Sequence, residues 1–160
     1  MVMMGRYSRK KMFEQDDERD LEITEKALSM VGMQGTEERS FLSLSGGEKQ
    51  RIYLAMAFAQ ESSLIILDEP TNHLDIGYQL YIMEIMRQFE DKTIFTSVHD
   101  MNLAARYCDR VILLQKGKII ANGTPEEVLT VERIRSVFHV NTEIEKKNGV
   151  LNITYLGWTK

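Results

Sequence analysis

The sequence contains one cysteine, Cys108, and it has neither a long apolar run nor a strong excess of one charge sign. A single cysteine excludes an internal disulfide framework and a four-cysteine zinc site. No apolar run approaches the ~20 residues that a membrane-spanning helix needs, and the start at Met1–Arg6 is not followed by the apolar stretch of a secretory signal. The charge balance, 20 Lys and Arg against 24 Asp and Glu for a formal −4, gives no electrostatic reason to expect nucleic acid as a partner.

The 160 residues are 43% hydrophobic and 28% charged, which is the composition of a folded globular protein and not of a disordered chain. At this length, about two thirds of the surface of the unfolded chain can be buried. Length alone therefore favours one domain of ordinary size.

Charged residues cluster near the start of the chain. The segment 1–15 is basic, and an acidic stretch from Glu14 to Asp20 follows it. We expect both clusters to be solvated surface, with a docking patch as the alternative. The basic residues are Arg6, Arg9, Lys10 and Lys11.

The first helix is predicted over 17–31. Acidic residues occupy its first turn, and its apolar stripe consists of Leu21, Leu28 and Val31. Glycines just beyond the stripe are typical of a helix end.

The middle of the chain predicts a parallel α/β unit. The segment 62–67 ends in Leu-Ile-Ile-Leu and reads as a fully buried strand. A helix is expected over 76–89, with either positions 80, 83 and 86 or positions 82, 85 and 89 facing the core. A second strand is expected over 92–98, and the order strand–helix–strand predicts a parallel sheet.

The last third predicts short elements. A short helix is expected over 102–108, and Lys116-Gly117 marks a hairpin. Thr124, with Pro and then Glu in the positions of a capped first turn, predicts a helix that reaches about Phe138. Asn148-Gly149 predicts a final hairpin.

Reactive polar residues follow both predicted strands. Asp68-Glu69 comes directly after the first strand, and His99-Asp100 comes just past the second. In open α/β sheets, ligands bind outside the carboxyl ends of the strands. One carboxylate could hold Mg²⁺, the other could orient or deprotonate an attacking water, and the histidine could bind a terminal phosphate. Taken singly, the acids also suit a turn or helix cap, and His99 a structural cap.

The segment Ser45-Gly46-Gly47-Glu48 offers a second candidate site. Serine followed three residues later by glutamate is a capping box, which predicts a helix from this segment to about Gln60. Two glycines in the first turn let a phosphate approach the backbone N–H groups, and the helix dipole favours the anion. A plain cap between two helices is the alternative.

The order of these segments resembles the ATP-binding cassette (ABC) ATPases. Leu44–Arg51 is similar to the signature motif of the family, with Glu48 where Gln is at least as usual. Leu64–Pro70 is similar to Walker B followed by the catalytic glutamate. Leu74-Asp75 resembles the D-loop, and His99 resembles the switch histidine.

The resemblance implies an α/β fold, namely the C-terminal part of a P-loop NTPase (ABC ATPase) fold. This fold would have a parallel sheet core, a helical subdomain segment and a C-terminal β-hairpin. Asn122–Val128 extends the resemblance, because it is similar to the segment after the final hairpin in transporter ATPases. The implied organisation is a partial helical (signature) subdomain over 1–60, a partial ATPase core over 61–123, and a C-terminal helix and hairpin over 124–160.

The resemblance also implies a role for each candidate residue. Asp68 would ligate Mg²⁺ through water, Glu69 would polarise the attacking water, and His99 would contact the γ-phosphate of ATP. Asp75 would pass signals between two subunits. The residues that would clamp the γ-phosphate of ATP held by the other subunit are Ser45, Gly46, Gly47 and Glu48.

A phosphate-binding loop of the form G-x-x-x-x-G-K-[ST] is absent from the sequence. The one Gly-Lys pair, Gly117-Lys118, is followed by Ile119, and no glycine lies five residues before it. We therefore expect a truncated chain that corresponds to the C-terminal part of an ABC ATPase and is inactive alone. Missing strands would leave an open sheet edge or an uncovered apolar face, which invites self-association.

Within the family, Gly5-Arg6-Tyr7, Thr71–Ile76 and Val98–Asn102 resemble importers of iron–siderophore, haem or cobalamin complexes. This implies an ATP-hydrolysing subunit that uses Mg²⁺ and ATP and pairs with a second ATPase subunit as a homodimer. Its other partners would be membrane permease subunits and a substrate-binding protein, with no nucleic acid. It would be cytoplasmic and peripheral on the inner face of the cell membrane, with the helical stretch up to about Gln60 facing the permease.

Two alternatives belong to other classes. The C-terminal half of a DNA-repair or chromosome-maintenance ATPase carries the same motifs without a P-loop, although such proteins need long heptad repeats before the signature, and only about one helix precedes Ser45 here. The other alternative is a non-enzymatic remnant of an active ancestor.

Overall fold

The computed structural model describes residues 1–11 and 14–159, which form two compact units, Met1–Ser97 and the chain from Val98 onward. Chain length alone predicts a single domain, which differs from the two units of the structure. The predicted segments 1–60, 61–123 and 124–160 are subdomains of the family fold. The two units are instead defined by contacts within each, so they do not test the subdomain boundaries, which stay a prediction. Residues 12, 13 and 160, which belong to the predicted basic segment and to the last predicted segment, lie outside the described residues.

The first unit combines helices with a pair of parallel strands. Its described elements, in chain order, are a 3₁₀ helix (Val2–Arg9), α1 (Glu18–Met30), a 3₁₀ turn (Phe41–Ser43), α2 (Gly46–Ala59), β1 (Leu64–Leu67), α3 (Ile76–Arg87) and β2 (Thr93–Thr96).

The predicted starts of the first two helices are confirmed. Asp17 and Asp20 form a reciprocal capping box at the start of α1. At α2, Ser45 Oγ accepts from the Glu48 N–H at 3.3 Å, and Glu48 Oε2 accepts from the Ser45 N–H at 2.8 Å. Each box satisfies backbone N–H groups that a helix start leaves without intrahelical partners, and so fixes where the helix begins.

The parallel strand pair is confirmed, but the prediction of a fully buried first strand is wrong. Leu64 and Ile66 are 50% and 69% exposed, whereas Ile65 is buried. Side chains alternate between the two faces of a strand, so one face of this pair is buried or half-buried and the other is open. Phe95, opposite Ile66 in the register, is also exposed. The described residues thus include the uncovered apolar face that the sequence led us to expect.

The helix interiors differ in part from the predicted stripes. Leu28 and Val31 are buried as predicted, but Leu21 is 52% exposed. In α3 the two alternative stripes both contribute, because positions one and three apart still share a broad face of a helix. The buried residues of α3 are Ile82, Met83, Ile85 and Met86.

The N-terminal 3₁₀ helix is bound to α1 and α2 through Arg6, so the prediction of solvated surface is wrong for Arg6, whereas Arg9 and Lys11 are exposed as predicted. Arg6 is buried, and it donates to Asp20 Oδ1 at 2.9 Å, to the Ala59 carbonyl at 2.8 Å and to Glu61 Oε2 at 3.0 Å. Lys10 also pairs with Asp20. Hydrogen bonds from Lys10 and Arg6 hold the pKa of Asp20 far below its usual range. Arg6, Lys10 and Asp20 thus neutralise one another within the fold, while the other acids of the stretch are exposed.

The same segment closes the C-terminal end of α2. Arg9 donates to the carbonyl of Gln60, the C-cap of α2, at 3.0 Å and to that of the next residue, Glu61, at 2.5 Å. The last carbonyls of a helix have no partner within the helix. Gly5 lies directly against the helix, because a Cβ there would lie 2.3 Å from the Met56 carbonyl oxygen. Only glycine fits this approach.

The second unit consists of short helices and two hairpins. Its described elements are α4 (Met101–Tyr107), β3 (Val111–Gln115), β4 (Lys118–Gly123), α5 (Pro125–Val128), α6 (Val131–Phe138), β5 (Val140–Lys147) and β6 (Val150–Trp158). Both predicted hairpins are confirmed as antiparallel pairs. The single helix predicted after Thr124 is instead two, because Thr130 caps a new helix by accepting from the Arg133 N–H at 3.3 Å.

A small apolar core holds the second unit together. Leu129, Ile134 and Ile153 are buried in one cluster. The Asn102 side chain donates to the Ile153 carbonyl at 3.1 Å and accepts from its N–H at 2.7 Å. This amide supplies both backbone partners of one strand residue and so fastens β6 to α4.

None of the helices formed by residues 1–11 and 14–159 has the length and hydropathy of a membrane span.

We expect Gly5→Ala to destabilise the chain, because the added methyl would overlap the Met56 carbonyl of α2. Overpacking of this kind costs about 1–3 kcal/mol. Gly46→Ala is the matched control, since its methyl meets nothing within 4 Å. Thermal unfolding followed by circular dichroism measures the difference. Equal midpoints for the two variants would contradict the account of the close approach.

Candidate functional site

β1 delivers the two candidate carboxylates, Asp68 and Glu69, to the carboxyl end of the parallel pair. The backbone ladder continues one residue past both strands, because the Ser97 N–H donates to the Leu67 carbonyl at 3.1 Å. Ser97 Oγ then donates to Asp68 Oδ1 at 2.7 Å and accepts from the Glu69 N–H at 2.7 Å. Ser97, which directly follows β2, therefore contacts both acids.

Glu69 leaves the strand through a left-handed turn. Its φ is +48°, a region that costs a non-glycine residue about 1–2 kcal/mol. Asn72 supports the turn, donating its N–H to the Glu69 carbonyl at 3.1 Å and its side-chain amide to Glu69 Oε2 at 2.8 Å. The neighbouring acids consequently face different partners, Ser97 for Asp68 and Asn72 for Glu69. Such a separation suits one carboxylate to a metal and the other to a water.

The start of α2 forms the second part of the candidate site. Glu48 completes the capping box with Ser45 and also accepts from Arg39 Nη1 at 2.9 Å. Hydrogen bonds from the Ser45 backbone, the Ser45 side chain and Arg39 lower the pKa of Glu48 to about 2. Within the described residues, the N–H groups of Gly46 and Gly47 have no hydrogen-bond partner, so they stay available at the positive end of the helix.

The packing of the chain itself does not require either glycine. A Cβ at Gly46 would meet nothing within 4 Å, and one at Gly47 would make ordinary contacts of 3.6 Å with the His73 carbonyl and Leu74. Neither glycine has a positive φ. Because each glycine disfavours a helix by about 1 kcal/mol relative to alanine, their presence is unexplained by the fold. The open space above the helix start is suited to an anion.

Gln50 links the two parts of the site. Its side-chain amide donates to the Glu69 carbonyl at 3.3 Å, so that α2 holds the turn that carries the catalytic candidate. Sequence reasoning missed Gln50, Asn72 and Ser97. No sequence signal identifies Ser97, because only the strand register, with Leu67 opposite Thr96, places residue 97 beside residue 68.

Asp75 is the N-cap of α3, and its carboxylate accepts from the Tyr78 N–H at 3.1 Å. Gln79 holds the preceding residue by donating to the Leu74 carbonyl at 3.0 Å. The D-loop candidate is thus a well-fastened helix start, and its role in coupling two subunits stays a prediction.

His99 belongs to the second unit, which begins at Val98. Asp100 beside it caps α4 by accepting from the Asn102 N–H at 2.8 Å. Contact of His99 with a phosphate stays a prediction.

The residues present fit Mg²⁺ as part of a nucleotide complex. Among residues 1–11 and 14–159, no three His, Cys, Asp or Glu side chains cluster as a metal cage. Mg²⁺ is usually held by one or two carboxylates together with substrate phosphates. Asp68, with one oxygen fixed by Ser97, is suited to that single-carboxylate role.

Residues 4–72 match the model of the ABC transporter family. The chain is 38% identical over 147 residues to a petrobactin import ATP-binding protein of Bacillus anthracis, and 38% identical over 161 residues to an iron(3+)-hydroxamate import ATP-binding protein of Bacillus subtilis. The chain is therefore similar to ATP-binding proteins of ABC transporters. The alignments cover 90% and 97% of the chain but only 54% and 60% of those proteins, so the chain spans little more than half the length of these curated relatives.

The fold of the chain agrees with this similarity. It superposes on a chain of an inward-facing metal-chelate type ABC transporter with a TM-score of 0.84 and 28% identity, covering 98% of this chain and 65% of that one. The predicted fold class, the C-terminal part of an ABC-type P-loop fold, is confirmed. The roles predicted for individual site residues stay predictions.

The lowered pKa of Glu48 predicts a pH dependence of stability. The pKa is about 2 in the folded chain against an ordinary 4.5. The ionised group therefore stabilises the fold above about pH 4.5, and this contribution is lost as the pH falls through about 2. Glu48→Gln keeps an acceptor for the Ser45 N–H but has no charge to lose.

We expect the difference in melting temperature between the wild type and Glu48→Gln to shrink as the pH is lowered from about 5 to about 2. Thermal unfolding at several pH values measures this difference, and the other acids cancel because both proteins contain them. A difference that is constant over this range would contradict the assignment.

Proposed function

We propose that this chain forms part of the ATP-binding and ATP-hydrolysing subunit of an ABC importer for iron chelates, haem or cobalamin. The observation that carries the proposal is the pair Asp68 and Glu69 at the carboxyl end of β1, each held by a different partner. The names of the relatives, which are import proteins for petrobactin and for iron(3+)-hydroxamate, support the cargo class.

Each residue of the site has a role that fits its contacts. Asp68 would be the carboxylate that holds Mg²⁺. Glu69 orients or deprotonates the water that attacks the γ-phosphate, and His99 hydrogen-bonds that phosphate. When bound, Mg²⁺ neutralises the charge that develops on the phosphate oxygens.

The start of α2 serves a second nucleotide. The open N–H groups of Gly46 and Gly47, with Ser45, bind the γ-phosphate of an ATP that is anchored by the partner subunit. Glu48 fixes the backbone conformation of this helix start through its capping box with Ser45. Asp75, at the start of α3, transmits the state of one site to the other.

Two copies of such a subunit act on membrane permease subunits that receive cargo from a substrate-binding protein. The helical stretch over 1–60 faces the permease, which holds the subunit at the cytoplasmic face of the membrane. Because the sequence lacks G-x-x-x-x-G-K-[ST], the loop that anchors the triphosphate lies outside these 160 residues.

We expect Glu69→Gln to abolish ATP turnover in the transporter complex that contains this chain while ATP still binds. Removal of a general base typically lowers the rate by ~10²–10⁴-fold. Glu90→Gln is the matched control, an exposed glutamate that precedes β2 and so lies at the other end of this strand from Ser97. Phosphate release and nucleotide retention are measured together. A Glu69→Gln complex that turns over within a few-fold of wild type would exclude Glu69 as the base.

The isolated chain is expected to show no ATPase activity above background and at most weak ATP affinity. Most of the anchoring of a triphosphate in P-loop enzymes comes from the loop amides and their lysine, and Mg²⁺ binds mainly with phosphates that are already held. Calorimetric titration with Mg-ATP, together with a phosphate-release assay, measures both. Micromolar binding with turnover would mean that the sequence forms a different phosphate cradle.

A further inference from the structure

We propose that Ser97 is a positioning residue that sets the geometry of both candidate carboxylates. Its hydroxyl touches the Asp68 carboxylate and the Glu69 backbone together, with both contacts at 2.7 Å. The role in catalysis rests on the proposed function, whereas the role in holding the two acids does not.

The direction of each hydrogen bond follows from the chemistry of the groups. A backbone N–H can only donate, so Ser97 Oγ accepts from Glu69. An ionised carboxylate can only accept, so the single proton of the hydroxyl goes to Asp68. Serine can satisfy both requirements at once because a hydroxyl combines one donor with two acceptor lone pairs.

The backbone places this hydroxyl without help from its own side chain. The Ser97 N–H donates to the Leu67 carbonyl, which continues the parallel ladder in which Leu67 lies opposite Thr96. Residue 97 is therefore held beside residue 68 by the sheet. Rotation about χ1 of Ser97 is then enough to place its hydroxyl oxygen. A small side chain at this position can reach both acids.

Ser97 and Asn72 hold Glu69 from two sides. The Ser97 hydroxyl binds the N–H of Glu69, and Asn72 binds its carbonyl and its carboxylate. This pair of supports keeps a glutamate with a φ of +48° in one conformation. Loss of the Ser97 hydroxyl would release the N–H side of the turn and one oxygen of Asp68 at the same time.

The first test is made on the 160-residue chain by nuclear magnetic resonance. Ser97→Thr and Ser97→Val have nearly the same shape and differ in the hydroxyl. We expect the Glu69 amide of Ser97→Val to exchange with solvent at least about ten-fold faster than in wild type, and that of Ser97→Thr to stay close to wild type. Thr96→Val, which removes a neighbouring hydroxyl that contacts neither acid, should leave the Glu69 amide unchanged.

The amides of Ile65 and Leu67 report whether β1 is intact in each variant. Ser97→Ala is a second hydroxyl-free variant, so the result does not depend on whether valine is tolerated. Wild-type exchange at Glu69 in either hydroxyl-free variant, with β1 intact, would overturn the proposal.

The second test uses the transporter complex that contains this chain. Ser97→Val should lower kcat about ten-fold or more with KM for ATP nearly unchanged, and Ser97→Thr should restore most of kcat, because misplaced catalytic groups affect the chemical step. Wild-type kcat in Ser97→Val would overturn the catalytic role. If the wild-type complex hydrolyses no ATP, the proposed function fails, and the exchange measurement still decides whether Ser97 holds the two acids.

Discussion

The parallel register of β1 and β2 is the constraint on which the candidate site depends. With Leu67 opposite Thr96, the next residues of the two strands are Asp68 and Ser97, and their side chains meet at 2.7 Å. Side chains alternate along a strand, so a slip of one residue would turn these groups to opposite faces of the sheet. The same register brings the Ser97 hydroxyl to the Glu69 N–H.

Contacts of α2 fix both its own N-terminal start and the turn at Glu69. The C-terminal end of α2 is closed by Arg6 and Arg9, which bind its last carbonyls, while its middle reaches the turn through Gln50. Its N-terminal end is fixed by the box of Ser45 and Glu48. A helix held at both ends and in the middle presents its open N–H groups in a constant direction, as a phosphate clamp requires.

Local signals were readable from the sequence, and contacts between distant residues were not. The capping boxes at Ser45 and Thr124 and the turn at Asn148-Gly149 involve residues within a few positions of each other, so propensity and spacing were enough. The ion pair of Arg6 with Asp20 and the bond of Arg6 to Ala59 join residues 14 and 53 positions apart. The charge pattern alone suggested solvated surface there.

The same distinction applies to the candidate site. The motif order indicated Asp68 and Glu69, because an apolar strand that ends in two acids is a local pattern. Ser97 was missed because its importance appears only when β1 and β2 are in register. The open face with Leu64, Ile66 and Phe95 shows a further limit, since an apolar strand predicts burial but not which neighbour provides it.

The most direct test of the account is a structure of the transporter complex that contains this chain, with Mg²⁺ and a non-hydrolysable ATP analogue. The account predicts that Asp68 faces the metal through water and that the N–H groups of Gly46 and Gly47 meet the γ-phosphate of an ATP anchored by the partner subunit. A complex in which the start of α2 lies far from every phosphate, or in which Asp68 and Glu69 face away from the nucleotide, would contradict it.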